Sequence, residues 1–210
     1  MNAILFDLDG VICSTDVLHY RAWKAIADEY GIYFDEAINA RLRGVSRMES
    51  LAIVLERYEG DLSALDLAAM AEKKNGLSRP LLSTMTPADV DPAVLKTLRE
   101  LRRRGYKLAI GSSSKNAGFI LERIALRDAF DAVSDGNNIA KSKPDPEVFL
   151  KAAAMLNERP EDCLVVEDAE AGLVAAHLGG MKAAGIGLAT ASKTADFRIR
   201  SLDELLILLP

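Results

Sequence analysis

The chain has 210 residues, 50% hydrophobic, 27% charged and 6% aromatic, which leaves room for one large domain, or a domain with an insertion, and excludes intrinsic disorder. Twenty-six basic residues against 31 acidic ones give a formal charge of -5, which argues against non-specific binding to nucleic acid or an anionic membrane but leaves phosphorylated metabolites open. The two cysteines, Cys13 and Cys163, have neither metal-site spacing nor the density of a disulfide scaffold. No apolar run approaches the roughly 18 residues of a membrane span. No charged leader precedes the first apolar run, so a cytoplasmic protein is expected.

In chain order, residues 2–6 form a strand-like run that ends on Asp7-Leu8-Asp9-Gly10. Residues 19–30, 46–58 and 62–77 then carry apolar side chains at helical spacing with no strand between them. Pro80, Pro87 and Pro92 predict a linker over 81–91 that is not helical throughout. Asp91-Pro92 opens a helix with an N-cap and an N1 proline, and Gly105 stops it. Short apolar runs follow at 107–111, 131–134, 163–166 and 182–186, alternating with helical stretches. One of these opens at Asp145-Pro146 and runs to about Leu156; Ser201 with Glu204 predicts a capping box on the last helix. Strands alternating with helices predict an α/β fold with a parallel sheet covered on both faces. The helical stretch after the first strand predicts an inserted cap, residues 15–83, over a core of residues 1–14 and 84–210.

In an extended chain Asp7 and Asp9 point to one face, at the carboxyl end of a strand, where open parallel sheets bind ligands. Two neighbouring carboxylates repel, and therefore attract a cation or hold a proton between them. Taken alone, Asp-x-Asp-Gly is an ordinary way for a strand to turn. However, Val165-Val166-Glu167-Asp168 is a second strand ending in acids, which together predicts an oxygen-rich site suited to Mg²⁺. Ser112-Ser113-Ser114-Lys115-Asn116 offers hydroxyls and free helix amides for a phosphoryl group. Ser142-Lys143-Pro144-Asp145 adds a lysine as a point charge. Four such segments fall at four strand-to-helix junctions.

Phe6-Asp7-Leu8-Asp9-Gly10-Val11, Ser112, Lys143-Pro144 and Glu167-Asp168 resemble, in order, the four motifs of the haloacid dehalogenase-like phosphotransferases. Within that superfamily, His19-Tyr20-Arg21-Ala22-Trp23-Lys24 and Gly44-Val45-Ser46-Arg47 are similar to the β-phosphoglucomutase family. The resemblance implies a Rossmann-like parallel-sheet core with an inserted helical cap domain. It implies conversion of β-glucose 1-phosphate to glucose 6-phosphate through an aspartyl phosphate and a bound β-glucose 1,6-bisphosphate. Asp7 is then the nucleophile and Asp9 the general acid and base, while Ser112 and Lys143 hold the transferring phosphoryl group. Mg²⁺ is expected on Asp7, Glu167 and Asp168 with the backbone carbonyl of Asp9. Gly44, Val45 and Arg47, with Ser114, Lys115 and Asn116, are expected to bind the sugar and its second phosphate. His19 is placed at the hinge near Asp9, and Trp23, Ser50 and Lys74 line the closed site. The expected partner is a small phosphorylated sugar, with no nucleic acid or membrane partner, and the chain is expected to be a monomer. The chain departs from the family at Arg43, where lysine is usual, and at Ala169, where serine is usual.

Other readings compete. A phosphatase of the same fold uses the same core residues and admits water to the phosphoenzyme. A response-regulator-type phospho-acceptor also pairs acids with Mg²⁺, but is shorter and has no helical insertion. A substrate-binding protein without turnover requires an unreactive Asp7. On their own, His19 reads as a partly exposed helical histidine and Trp23 as core packing. Arg41, Arg43 and Arg47 read as a solvated basic face. Arg102-Arg103-Arg104 also reads as a solvated basic face, ending a helix where cations suit the dipole, and Cys13 reads as a buried or hinge thiol.

Overall fold

The computed structural model describes residues 1–209. In chain order the elements are β1 (Ala3–Phe6), α1 (Asp16–Glu29), α2 (Glu36–Ala40), α3 (Arg47–Leu55), α4 (Leu67–Ser83), α5 (Pro92–Arg103), β2 (Lys107–Gly111), α6 (Ala117–Arg123), β3 (Ala132–Ser134), α7 (Glu147–Met155), β4 (Cys163–Glu167), α8 (Glu170–Leu178), β5 (Lys182–Gly185), β6 (Phe197–Arg198) and α9 (Leu205–Leu208).

The strands form one parallel six-stranded sheet in the order β3-β2-β1-β4-β5-β6. β1 is buried on both faces, and its period-2 alternation divides it between two layers. Ile4 and Phe6 pack with Leu98 and Leu101 of α5 and Ile120 and Leu121 of α6. Ala3 and Leu5 pack with Val148, Phe149 and Ala152 of α7 and Leu173 and Ala176 of α8. The register pairs Phe6 with Ile110 on one side and Val166 on the other. The carboxyl ends of β1, β2 and β4 are therefore level, so the segments that follow them emerge along one edge.

Between β1 and α5, helices α1, α3 and α4 build a separate apolar core from Trp23, Ile26, Leu51, Val54 and Met70. α4 continues through Pro80 to Ser83, into the start of the predicted linker over 81–91, and the rest of that linker up to α5 is not α-helical, as expected. Pro80 lies in the last turns, so it forfeits a single ladder bond there, while Ser78 and Leu82 on either side of it are buried. Asp91 caps α5 as predicted, accepting from the Ala93 amide at 2.8 Å. Asp145 accepts from the Glu147 amide at 3.0 Å, and the helix begins after Pro146 rather than on it. The predicted Ser201 capping box does not form: the Ser201 side chain makes no cap bond, and Glu204 accepts from the Arg200 amide instead. The basic run at 102–104 is bonded rather than merely solvated. Arg102 pairs with Asp131 at 2.7 Å, and Arg104 donates to the carbonyls of Leu206 and Leu209. β6 went unread because two residues carry no alternation. Among the described residues no helix is long and apolar enough to cross a membrane.

Candidate active site

Asp7 extends the β1 ladder by one residue, its amide donating to the Val166 carbonyl at 3.0 Å. Its carboxylate is thereby fixed at the sheet edge, in a buried position. Lys143 arrives from the loop before α7 and is completely buried. Its ammonium donates to Asp7 Oδ1 at 2.5 Å and to Glu167, and lies 4.7 Å from the centre of the Phe149 ring. Glu167 also accepts from the Ala169 amide at 3.1 Å. Two glycines make room for these acids. A Cβ on Gly10, whose φ is +91°, would overlap Asp168, and one on Gly172 of α8 would overlap Glu167.

One oxygen from each of Asp7, Glu167 and Asp168 lies within 4.8 Å of the others. Burial first, then the charges of Asp7 and Glu167, push the Asp168 carboxyl up to about 8. Burial likewise raises Glu167 to about 7, against the pull of Lys143. Burial opposes the Lys143 charge, but Asp7 and Glu167 outweigh it and hold the ammonium above the usual lysine range. One lysine thus faces three crowded carboxylates. The set is short of positive charge and made of hard oxygen donors, a combination that fits a divalent cation such as Mg²⁺. Asp9 contributes no carboxylate oxygen to this trio.

Because Lys143 is the cation at the centre of this cluster, Lys143→Met leaves buried acids without a partner. In metal-free buffer we expect a loss of about 3–5 kcal/mol of unfolding free energy, measured by urea denaturation, with part recovered in Mg²⁺. An unchanged midpoint in both buffers would mean that Lys143 does not balance these acids.

Asp9 lies beyond the trio and has different neighbours. The buried Thr15 hydroxyl donates to its carboxylate, although Thr15 occupies the N-cap position of α1 and makes no cap bond there. His19 Nε2 lies 4.0 Å from the same Asp9 oxygen, and His19 Nδ1 is 2.9 Å from Lys74 Nζ. Lys74 in turn sits 5.0 Å from the Trp23 ring centre. Burial, then the Asp7 charge, lifts Asp9 to about 6. Burial, followed by Lys74 and Arg47, drives His19 down to about 3; the neutral ring accepts from Lys74 at Nδ1, which assigns its proton to Nε2 on the side of Asp9. Burial, then Arg47, lowers Lys74 to about 7.

The serine loop after β2 folds on its own hydroxyls. Ser112 Oγ accepts from the Ser114 amide and Ser114 Oγ from the Asn116 amide, each at 3.1 Å. Ser113 donates to the Gly44 carbonyl at 2.8 Å. Arg47 at 2.8 Å and Asn116 at 3.2 Å both donate to the side-chain oxygen of Asn75, and Arg47 also reaches Glu72 at 3.5 Å. Two separate elements therefore aim donors at a single oxygen. Lys115 is exposed, Val45 is half-buried beside Gly44, and Ser50 is buried further along α3.

Four contacts here were not read from the sequence. Thr15 carries no pattern that singles it out from other threonines. Asn75, beside Lys74, has no pattern of its own. Asp16 accepts from Arg43 at 2.7 Å and Asn39 at 3.1 Å, tying the start of α1 to the segment before Gly44. Ser46-x-x-Glu49 is a capping box, formed in the structure, and its spacing was legible.

A family model described as haloacid dehalogenase-like hydrolase matches residues 1–180. The β-phosphoglucomutase of Bacillus subtilis is 42% identical over 207 residues, covering 98% of this chain and 92% of that protein. A phosphorylated carbohydrates phosphatase of Thermotoga maritima is 31% identical over 186 residues, 87% of this chain and 83% of its own length. Among solved structures, the β-phosphoglucomutase of Clostridium difficile matches with a TM-score of 0.89 at 35% identity, covering 98% of this chain and 93% of that one.

Proposed function

Since the chain belongs to the haloacid dehalogenase-like hydrolase family, we propose that it is a Mg²⁺-dependent β-phosphoglucomutase, interconverting β-glucose 1-phosphate and glucose 6-phosphate. The observation that carries this reading is the presence of two cationic poles on one seam. Lys143 is bonded to Asp7, while Arg47 and Asn116 converge on Asn75 from opposite sides of the seam. A sugar bisphosphate needs two such poles; a monophosphate needs one. The Bacillus subtilis relative, more similar to this chain than the Thermotoga phosphatase, favours the same choice.

In this reading residues 15–83 form a cap over the core of residues 1–14 and 84–210. Asp7 attacks the phosphorus in line, forming an aspartyl phosphate as the bond to the sugar oxygen breaks. Asp9 gives that oxygen its proton and later takes one from the hydroxyl that attacks the aspartyl phosphate, releasing Asp7. Lys143 and Ser112 hold the transferring oxygens, and Arg47, Ser114, Lys115 and Asn116 grip the far phosphate. Gly44 and Val45 lie against the sugar, with Trp23, Ser50 and Lys74 lining the closed site. Thr15 and His19 orient Asp9 from the base of the cap. Mg²⁺, held by Asp7, Glu167, Asp168 and the Asp9 carbonyl, would offset the repulsion between phosphate oxygens and the attacking carboxylate. The closed cap keeps water from the phosphoenzyme.

Arg47→Ala tests the second pole. Losing this cation is expected to cost about 2–3 kcal/mol of transition-state binding, a roughly 30- to 150-fold fall in kcat/KM for β-glucose 1-phosphate. Phosphorylation of Asp7 by acetyl phosphate, which has no second phosphate, should survive. Equal activity of variant and wild type on the sugar phosphate would remove the case for a mutase. A chelator is expected to stop turnover reversibly, with Ca²⁺ a poor substitute because it prefers a larger, looser oxygen shell. Full activity in chelator would make Glu167 and Asp168 structural. The Thermotoga relative keeps a sugar-phosphate phosphatase as the second reading, distinguished by release of inorganic phosphate.

A further inference from the structure

We propose that Glu49 and Ser142 are positioning residues that hold the Arg47 arm at a fixed place relative to Lys143, and so bias the phosphoenzyme toward a sugar hydroxyl over water. The proposal rests on the mutase reading for its substrate, though the contact itself does not.

Glu49 is the third residue of α3, and its carboxylate completes a capping box. Glu49 Oε2 accepts from the Ser46 amide at 2.8 Å, and the Ser46 hydroxyl accepts from the Glu49 amide at 3.3 Å. This box sets the first turn of α3, from which Arg47 extends. The same Oε2 also accepts from the Ser142 hydroxyl, across 93 residues of sequence. Ser142 immediately precedes Lys143, whose ammonium is fixed between Asp7 and Glu167. A short covalent and hydrogen-bonded route thus runs from Arg47 through the capping box to the lysine beside the nucleophile.

Besides the contacts of Thr15 and His19 with Asp9 at the hinge, other contacts away from it tie the helical block to the sheet domain. Ser113 donates to Gly44, Asn116 donates to Asn75, and the Arg79 guanidinium lies 3.8 Å from the Phe119 ring centre. Of the hydrogen bonds named here away from the hinge, Ser142 to Glu49 has a carboxylate acceptor while Ser113 to Gly44 and Asn116 to Asn75 have neutral ones, which makes it intrinsically the strongest of these. Burial opposes the Glu49 charge, but the bonds from Ser142 and Ser46 keep the carboxyl below its usual range. The capping box alone explains a glutamate at this position, but it does not explain why the carboxylate is shared with a residue of the opposite domain.

Variants separate the two duties. Ser142→Ala removes the cross-domain bond and leaves the capping box intact; Ser142→Thr keeps the hydroxyl. Glu49→Gln keeps a neutral acceptor, and Glu49→Ala removes both duties. For Ser142→Ala we expect KM for β-glucose 1-phosphate to rise roughly 3- to 10-fold, the range of one partly exposed hydrogen bond. The inorganic phosphate released per isomerisation should rise by a similar factor, with kcat changing less. Ser142→Thr should restore both, Glu49→Gln should fall between, and Ser142→Ala should add nothing to Glu49→Ala. Phosphorylation of Asp7 by acetyl phosphate should proceed at the wild-type rate in Ser142→Ala. If KM and the phosphate ratio stay at wild-type values in Ser142→Ala, the proposal is wrong. It is equally wrong if the acetyl phosphate reaction falls in step, because Ser142 then merely supports Lys143. Should the wild type itself release phosphate without isomerising, the mutase reading fails, and amide hydrogen exchange decides the remainder. Faster exchange in Ser142→Ala at both residues 46–50 and 141–145 would sustain the link, and unchanged exchange at either would end it.

Discussion

Asp7→Asn is expected to lower turnover about a million-fold, the scale reached when a nucleophile is removed from a preorganised site. The amide has the shape of the carboxylate and can still accept from Lys143, so the local hydrogen bond to Lys143 is retained. It cannot become an acyl phosphate. The substitution also removes one of three buried acids that share a single ammonium, so the unfolding midpoint should equal or exceed that of the wild type. Incubation with acetyl phosphate and Mg²⁺, followed by intact-protein mass measurement, should show a phosphate adduct on the wild type and none on Asp7→Asn. An adduct on the variant would place the nucleophile elsewhere.

Asp9→Asn should slow transfer to and from sugar oxygens by roughly 10²–10⁴-fold, the usual worth of a positioned acid–base group. Asp9 is suited to that work by its surroundings. Burial and the neighbouring Asp7 charge bring its carboxyl to about 6, where it both yields and recovers a proton near neutral pH. The Thr15 hydroxyl fixes the direction of its oxygen, and His19 Nε2 lies 4.0 Å from the same atom. An asparagine keeps the Thr15 bond but neither gives nor takes a proton. Phosphorylation by acetyl phosphate, whose leaving group needs no proton, should fall far less. The comparison of the two donors is the measurement; equal losses on both would mean that Asp9 has a structural role or one in metal binding instead.

The sheet was legible because parallel strands buried on both faces leave uninterrupted apolar runs. Cys163–Glu167 and Lys107–Gly111 are of that kind, and the acids and serines that follow them needed only the parallel register to meet. The helix before the predicted linker runs past Pro80 because a proline's local cost is small where only one ladder bond near a helix end is lost and Ser78 and Leu82 on either side are buried. The Ser201 box did not form because the Glu204 carboxylate accepts from the Arg200 amide, one residue before the cap, and the Ser201 side chain makes no cap bond. At the site, the motif residues were readable because their chemistry is concentrated in short segments. The contacts between helical block and sheet were not. Thr15 with Asp9, Asn75 with Asn116 and Ser142 with Glu49 each join ordinary polar residues from elements whose mutual orientation no local pattern encodes.

In a mutase the phosphoryl group taken up by Asp7 returns to a sugar. Phosphorus NMR of the wild-type protein with Mg²⁺ and β-glucose 1-phosphate, primed with a trace of β-glucose 1,6-bisphosphate, tests it directly. The β-glucose 1-phosphate resonance should be replaced by that of glucose 6-phosphate, with little inorganic phosphate formed. Accumulation of inorganic phosphate in step with substrate loss, without a glucose 6-phosphate signal, would contradict it.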